Sequence, residues 1–333
     1  MSARRRIIPI FVPHWGCRHE CVFCNQKRIS GQETHAAAAD VRRAAEGAQG
    51  VEMAFYGGSF TAIPVQEQEE LLDAALPFLH AGTLSALRVS TRPDAIDGET
   101  LARLRRFGVE TIELGAQSMR DEVLLRTKRG HTAADVRRAA AAVKAAGFQL
   151  ILQMMTGLPG DDDDGAVYTA RELIALQPDG VRIYPTVVVR DTELYALWQA
   201  GAYRAHTVED AVRVCARLVP LFRAAGIPII RLGLNPTDVL SAGAAAAGAY
   251  HPALGELVLA RIALEQMRAL LAAQGDVRDC RAVFAVPPGG ISQAVGQKRS
   301  NVAALCREFG LRDVRICPQV SKTGEISLIS VAK

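Results

Sequence analysis

The sequence predicts an α/β protein: six strand–helix units whose parallel strands close fully or partly into a barrel, followed by a small α+β module. Three observations carry that expectation. Apolar, β-rich runs recur at Ile7 to Val12, Val51 to Tyr56, Leu87 to Ser90, Thr111 to Leu114, Leu150 to Met155 and Val181 to Tyr184. Helix-like stretches separate them, including Val65 to Phe78, Thr100 to Phe107, Ala133 to Ala146 and Gly165 to Leu176. Two of these close on Gly108 and Gly147, as helix C-termini prefer. The chemically notable residues follow the strands' C-terminal ends, where a barrel of βα units keeps its chemistry.

Each element has its reason. The first run starts after Arg4, Arg5 and Arg6, a charged-then-apolar start that superficially suggests a signal peptide; Pro9, Pro13 and His14, with Cys17 in place of a small-residue cleavage site, make it a barrel strand instead. Cys17 to Cys24 follow this strand, Gly57 and Gly58 the second, Arg92 the third, Gln117 the fourth, Gly157 the fifth and Pro185 the sixth. Past Thr192 come two helical stretches, the second from Thr207 to Ala225, then a short strand Ile229 to Leu232 and a flexible Ala/Gly segment from Ser241 to Gly248. From about Arg281 the order changes to strand (Ala282 to Val286), helix, Gly-Gln-Lys-Arg turn, helix (Asn301 to Phe309) and two strands (Asp313 to Cys317, Glu325 to Val331). The expected division is a barrel over 1–235, a helical linker over 236–275 and the module over 276–333.

Composition narrows the classes. A hydrophobic fraction of 49% with 22% charged residues is that of a globular protein, and no apolar run approaches bilayer-spanning length. The formal charge of +4 is too small to announce a nucleic-acid partner. Seven cysteines, three of them within eight residues, do not form a disulfide framework and point to a reducing cytoplasm.

Cys17, Cys21 and Cys24 form a CxxxCxxC pattern that places three thiolates on one short loop. They can ligate three corners of a four-iron cubane and leave the fourth iron open, the feature a catalytic metal site needs. Structural zinc would want a fourth ligand, which His14 or His19 would supply; three inert cysteines are the remaining reading.

With Phe23 before the last cysteine and the extended "IIPIFVPHWG" ahead of it, the triplet resembles the radical SAM superfamily signature. "YGGSFT" (Tyr56 to Thr61) is similar to the Gly-rich segment that receives the amino group of S-adenosylmethionine (SAM), and "STRPD" (Ser90 to Asp94) sits on the next strand end. "ELGAQSMRDEVLLRTKRGHT" (Glu113 to Thr132), "GLPGD" (Gly157 to Asp161) and "IYPTVVVRDTELYALW" (Ile183 to Trp198) resemble the catalytic subunit of the Elongator tRNA-modifying complex and its bacterial relatives; coproporphyrinogen oxidases of the oxygen-independent kind are more distant. The resemblance implies a radical SAM partial TIM-type barrel holding a [4Fe-4S] cluster and SAM, with cleavage of SAM to a 5'-deoxyadenosyl radical. It implies an electron donor such as flavodoxin or ferredoxin, no membrane, and RNA or tRNA as substrate, a tetrapyrrole or other small metabolite being the alternative. By class, a non-catalytic zinc and RNA-binding protein is the contrasting reading.

Residue by residue, the resemblance carries SAM contacts onto Phe23, Gly57, Gly58, Thr61, Ser90, Arg92, Gln117, Arg129 and Gln153, with Gln117 and Gln153 at the ribose and Arg129 at the carboxylate. Gly57 and Gly58 let the backbone approach a ligand closely. Glu113 is a partner for Arg92 or a ligand group. Thr132 reads as a helix N-cap, and Asp161 to Asp164 as carboxylates at a helix start rather than metal ligands. "IIRLGLNP" (Ile229 to Pro236) and "AGAYHPALGEL" (Ala247 to Leu257) are similar to uncharacterised bacterial radical SAM proteins, and Tyr250 and His251 face the site or start a helix. The segment after Tyr250 shows no Gly-rich pyrophosphate loop, so the acetyl transfer implied by the Elongator resemblance is not expected of it.

"ISQAVGQKRSNVAAL" (Ile291 to Leu305) resembles the core of KH domains, whose GxxG turn clamps nucleic-acid backbone. Here the turn is Gly296, Gln297, Lys298 and Arg299, with Arg in place of the second Gly. Those four residues are candidate RNA contacts. Cys280, Cys306 and Cys317 are spaced too irregularly for a second cluster and read as core thiols.

Overall fold

A crossover helix lets one strand lie parallel to the last, and covers the sheet face that both strands share. The computed structural model, which describes residues 6–17, 21–235, 237, 240–319 and 325–333, shows that arrangement repeated. In chain order the first elements are β1 (Ile7–Phe11), α1 (Gln26–Ser30), α2 (Ala38–Ala45), β2 (Val51–Tyr56), α3 (Val65–His80), β3 (Leu84–Thr91), α4 (Gly98–Arg106), β4 (Val109–Gln117), α5 (Asp121–Arg126), α6 (Ala133–Ala145), β5 (Gln149–Thr156) and α7 (Asp163–Ala175). They continue with β6 (Gly180–Pro185), β7 (Val187–Val189), α8 (Glu193–Gln199), α9 (Val208–Ala224), β8 (Ile229–Leu232), β9 (Ala245–Gly248), α10 (Leu254–Ala272), β10 (Arg281–Val286), α11 (Ile291–Val295), α12 (Ser300–Phe309), β11 (Asp313–Pro318) and β12 (Ser327–Ala332).

β1 to β6 and β8 make one sheet in the order β1-β2-β3-β4-β5-β6-β8, every pair parallel. β8 adds a seventh strand to the six expected, with Val181 opposite Ile229 and Arg182 opposite Arg231. β1 and β8 stand at the two edges, so the barrel is partial. Side-chain oxygens start the crossover helices: Asp97 accepts from the Thr100 amide at 2.8 Å, and Thr132 and Thr207 form capping boxes with Asp135 and Asp210. Each such cap is worth about 1 kcal/mol.

The Ala/Gly segment expected to be flexible is ordered. Leu240–Ala244 makes a π-helical turn, and β9 pairs antiparallel with β7, Val187 opposite Gly248. Alanine has little strand preference, but the valine strand offers backbone partners, and pairing overrides propensity. Leu240 and Ala244 pack against Val187 and Val189.

The chain divides into two compact units, residues 1–211 with 218–252 and residues 212–217 with 253–333. In the second, β10 lies between β11, to which it is parallel, and β12, to which it is antiparallel. α10, expected as part of a linker, belongs to this unit: Ala263, Leu264, Met267 and Leu271 repeat at helical spacing and enter one core with Ala282, Phe284, Val286 and Leu305. Among the described residues no helix is long and apolar enough to cross a membrane.

Candidate functional site

The loop after β1 is held from both sides. His14 N–H donates to the Gly57 carbonyl at 3.1 Å, Ser59 N–H to the Trp15 carbonyl at 2.9 Å, and Cys17 N–H to the His14 carbonyl at 3.0 Å. Gly16, with φ of 75°, and Gly58 are where the two loops cross: a Cβ on Gly58 would collide with the carbonyls of Val12 and Trp15, and one on Gly16 with that of Ser59. Gly58 is therefore needed for chain packing, a reason closer at hand than the ligand approach expected of it. Farther along, Cys24 N–H donates to the Cys21 carbonyl at 3.0 Å, and Val22 is tied to the Thr127 carbonyl.

Three thiols thus come from one loop. Cys21 and Phe23 are buried among Val22, Val123, Met155, Leu158, Val188, Leu194 and Tyr203, and Cys24 packs against the same apolar wall. Burial pushes the Cys24 thiol up to about 12, with charge on Cys21 and Cys17 adding and the Gln26 hydrogen bond opposing. Cys17 is raised by burial and by Cys21, against Arg129 and Arg92. The sulfurs feel one another's charge. A positive centre beside Cys17 and Cys24 would lower both.

The other strand ends converge here. Arg129, buried, donates through Nη1 to Cys21 Sγ at 3.2 Å and through Nη2 to the Gly115 carbonyl at 2.8 Å. Arg92 donates through Nη2 to the Arg129 carbonyl at 2.8 Å and pairs with Asp94 at 2.9 Å. Gln153 donates to Gln117 Oε1 at 3.2 Å; Gln117 has φ of 65°, a left-handed conformation that costs a residue with a Cβ about 1–2 kcal/mol. Cys21, Arg129 and the Gly115 carbonyl form one hydrogen-bonded set and Gln117 with Gln153 a second, both touching the end of β4, and Ser90 is half-buried on the neighbouring strand. Thr61 is instead spent internally, its hydroxyl 2.6 Å from both Thr91 Oγ1 and the Ala95 carbonyl.

The Radical SAM superfamily profile matches residues 12–173, and that of the Radical_SAM C-terminal domain residues 178–265. The chain belongs to the radical SAM superfamily.

Human Elongator complex protein 3 is 31% identical over 236 residues, 64% of this chain and 42% of that protein. The tRNA uridine(34) acetyltransferase of Methanocaldococcus jannaschii is 28% identical over 184 residues, 49% of this chain and 34% of that one. The chain spans well under half the length of both. Among solved structures, the archaeal Methanocaldococcus infernus Elp3 superposes with a TM-score of 0.62 at 22% identity, covering 78% of this chain and 62% of that one. Coproporphyrinogen III oxidase from Escherichia coli, a radical SAM enzyme, gives 0.51 at 16% identity over 67% of this chain and 53% of that one. Both show a shared fold.

The cofactors of this radical SAM protein are a [4Fe-4S] cluster and SAM. The donor set fits. Tetrahedral zinc requires a fourth protein ligand, whereas three thiols, one of them receiving the Arg129 N–H, suit a cluster with one iron open. The histidine offered as a fourth zinc ligand is engaged: His14 Nε2 accepts the Gln26 N–H at 2.9 Å. His19 lies outside the described residues. A cubane takes one sulfur per iron and spreads its ligands wider.

Below the strand ends the structure corrects one pairing. Glu113 is not the partner of Arg92. Glu113 pairs with Arg88 at 2.7 Å and Arg182 at 2.8 Å, and accepts the Tyr56 hydroxyl at 2.9 Å; Arg88 pairs in turn with Glu52 at 2.8 Å. Glu113 lies opposite Ser90 in the β3–β4 register, two residues from Arg88 and on its face, whereas Arg92 follows the end of β3. Burial alone would lower the Arg182 pKa, but Glu113, Tyr184 and Tyr56 together raise it; burial, then Glu113, keeps Tyr56 protonated. The readable signal for this network was a charged residue amid each buried strand: Glu52, Arg88, Glu113 and Arg182.

Asp162 caps α7, accepting the Gly165 N–H at 2.6 Å, whereas Asp161 turns inward to Arg120 at 3.4 Å and is raised by burial to about 6. Thr132 caps α6, while His131 is buried with Nε2 3.2 Å from the Ala116 carbonyl. Tyr250 meets Ser241 at 2.9 Å. Cys280 is in the second unit's core, with Cys306 packed against it. In the Gly296 to Arg299 turn, Lys298 (φ 51°) and Arg299 (φ 61°) are both exposed and left-handed: Arg299 keeps the backbone conformation that glycine adopts freely.

Proposed function

We propose that this radical SAM enzyme reductively cleaves SAM at a [4Fe-4S] cluster held by Cys17, Cys21 and Cys24, and that the radical so formed acts on RNA, with tRNA as the first candidate. The observation that carries the first half is the three-thiol loop with no fourth protein ligand from His14 and with the buried Arg129 guanidinium against Cys21. Bound there, the cluster and SAM supply a 5'-deoxyadenosyl radical; the protein positions them and excludes competing reactions.

This chain's residues divide that work. The apolar wall around Cys21 and Phe23 keeps water from the Cys21 sulfur and partly shelters that of Cys24, while Cys17 stands exposed. Gln117 and Gln153, already hydrogen-bonded to each other, are assigned to the ribose, Arg129 to the SAM carboxylate, and Gly57 and Ser90 to the cofactor's edge. Arg92, tied to Asp94 and the Arg129 carbonyl, acts by orienting Arg129. Gly58 and Thr61 are assigned to the loop's support.

The RNA half is supported by the tRNA-modifying relatives and by the second unit. Two consecutive left-handed residues without the glycine that conformation favours hold about 1–3 kcal/mol of strain each, and such strain gathers at binding sites. Lys298 and Arg299 stand exposed at the start of α12, where a backbone phosphate is attracted by charge and helix dipole together. The free cysteines accord with a reducing cytoplasm, where flavodoxin or ferredoxin would deliver the electron.

The test is anaerobic reconstitution. Iron near four per chain and reductant-dependent 5'-deoxyadenosine are expected, both abolished in Cys21→Ser; one zinc per chain with no SAM cleavage would sink the reading. Bulk tRNA should bind with a salt-dependent affinity that falls several-fold in Lys298→Ala/Arg299→Ala. Unchanged affinity would move the substrate to a small metabolite.

A further inference from the structure

Arg129 has more contacts than a ligand for a carboxylate requires. Its side chain is buried, its Nη1 is 3.2 Å from Cys21 Sγ, its Nη2 is fixed on the Gly115 carbonyl at 2.8 Å, and its own carbonyl is gripped by Arg92 at 2.8 Å. The guanidinium is thus clamped at one nitrogen and by its backbone, which leaves Nη1 aimed at sulfur. Nε is buried with no hydrogen-bond partner, one donor still to be used. Gly115 is a condition of this placement: a Cβ there would stand 3.2 Å from Arg129 Nη2 and 2.9 Å from Gln117 Nε2.

We propose that Arg129 is the residue that sets the reduction potential of the cluster, by holding a fixed positive charge and an N–H donor on the Cys21 thiolate. This rests on the cluster reading above. It goes beyond the carboxylate contact assigned to Arg129, because that contact explains neither the sulfur distance nor the two clamps. The physics is direct. Reduction adds negative charge that is shared by the thiolate sulfurs, and hydrogen bonds to those sulfurs favour the more negative state and raise the potential. A charged donor is roughly twice as strong as a neutral one, and burial leaves the charge little screened. Gln26, donating through Nε2 to Cys24 Sγ at 3.3 Å, is the neutral counterpart, half-buried at the start of α1. Nε remains for an acidic group of the bound cofactor, so one guanidinium would touch both the cluster's ligand and the molecule the cluster reduces.

The experiment reads the cluster and not turnover. The reconstituted, SAM-free holoprotein is titrated electrochemically while the reduced cluster is followed by electron paramagnetic resonance. Arg129→Gln is expected to lower the reduced-to-oxidised ratio at fixed potential about tenfold, which is about 59 mV for one electron. Gly115→Ala, which displaces the fork and keeps its charge, is expected to shift the ratio in the same direction by about threefold. Protein labelled with 15N-arginine should show a nitrogen coupling to the reduced cluster in electron–nuclear double resonance. A ratio unchanged within twofold in Arg129→Gln, with iron content intact, overturns the proposal. Where that variant holds no cluster, the label decides on the wild type, and absence of coupling overturns it equally. A wild-type protein without any four-iron signal would instead defeat the cluster reading.

Discussion

Two buried sheet faces in this molecule are filled by opposite chemistry. The face of the seven-stranded sheet that carries Glu52, Arg88, Glu113 and Arg182 holds two carboxylates, two guanidiniums and the Tyr56 phenol in one network. The face of the three-stranded sheet that carries Ala282, Phe284 and Val286 meets Leu305, Met267 and Leu271, and the one buried polar side chain described in that unit is Asn301. Taking paired charges out of water rarely gains stability over apolar packing of the same volume. The second face is therefore what a sheet does when it only has to fold. By the same comparison the first gives up stability to keep a polar surface beneath the strand ends where Gln117, Gln153 and Arg129 lie, as the proposed SAM site would require.

The largest expected effect tests this contrast directly. Glu113→Ala leaves Arg88 and Arg182 facing each other without their shared carboxylate, and should cost about 3–5 kcal/mol in urea unfolding. A loss below 1 kcal/mol would mean that water reaches the network, and the contrast between the faces would fail.

Next in size is a pH effect on the same side of the molecule. His131 is lowered to about 4 by burial, then by Arg129 and, more weakly, Arg92, against the Ala116 hydrogen bond and Asp94. Its folded pKa lies below its unfolded value near 6.5, so the folded state prefers it neutral and its contribution is complete above pH 6.5. That contribution falls away as pH drops from 6.5 toward 4, at up to about 1.4 kcal/mol per pH unit. Stability curves of the wild type and His131→Gln should converge over that window; parallel curves would show that His131 does not titrate on unfolding. No matching buried base is described in the second unit.

How far the sequence already showed this contrast depends on what kind of information each part needs. The parallel sheet was legible because each strand is a local run of apolar residues, and the cysteine loop because its three donors lie within eight residues. α10 was underrated, since its apolar stripe makes sense only once Phe284 and Leu305 supply the surface it packs on. The Glu113 partner is hidden for the same kind of reason: Arg182 is 69 residues away and comes within reach only across β5, which lies between their strands. The Ala245–Gly248 strand has no signal of its own, because its partner β7 supplies it.

Asn301 gives the smaller test within the apolar unit. Its Nδ2 donates to the carbonyls of Ala260 at 2.8 Å, Gln293 at 3.1 Å and Ala294 at 3.2 Å, joining α10 to the end of α11. Asn301→Ala leaves those carbonyls short of a donor and should cost about 1–3 kcal/mol. A cost near zero would indicate that water replaces the amide.

The smallest expected change has the opposite sign, and it separates folding from function most cleanly. Gln117 keeps a left-handed backbone at the end of β4, where the strand's register with β5 slips between Gly115 and Gln117. Gln117→Gly removes the clash between Cβ and backbone that this conformation carries, worth about 1–2 kcal/mol, and gives back part of it as unfolded-chain entropy. The variant should unfold slightly later than the wild type, by up to about 1 kcal/mol, while its affinity for SAM in equilibrium dialysis falls about tenfold because Gln153 loses its partner at the ribose. With that outcome Gln117 would be kept at a cost to folding for the sake of the ligand, the local version of what is proposed for the charged sheet face. If Gln117→Gly were both less stable and equally able to bind SAM, the left-handed turn would be a packing feature, and the strand-end set would have to be rebuilt around Arg129 alone.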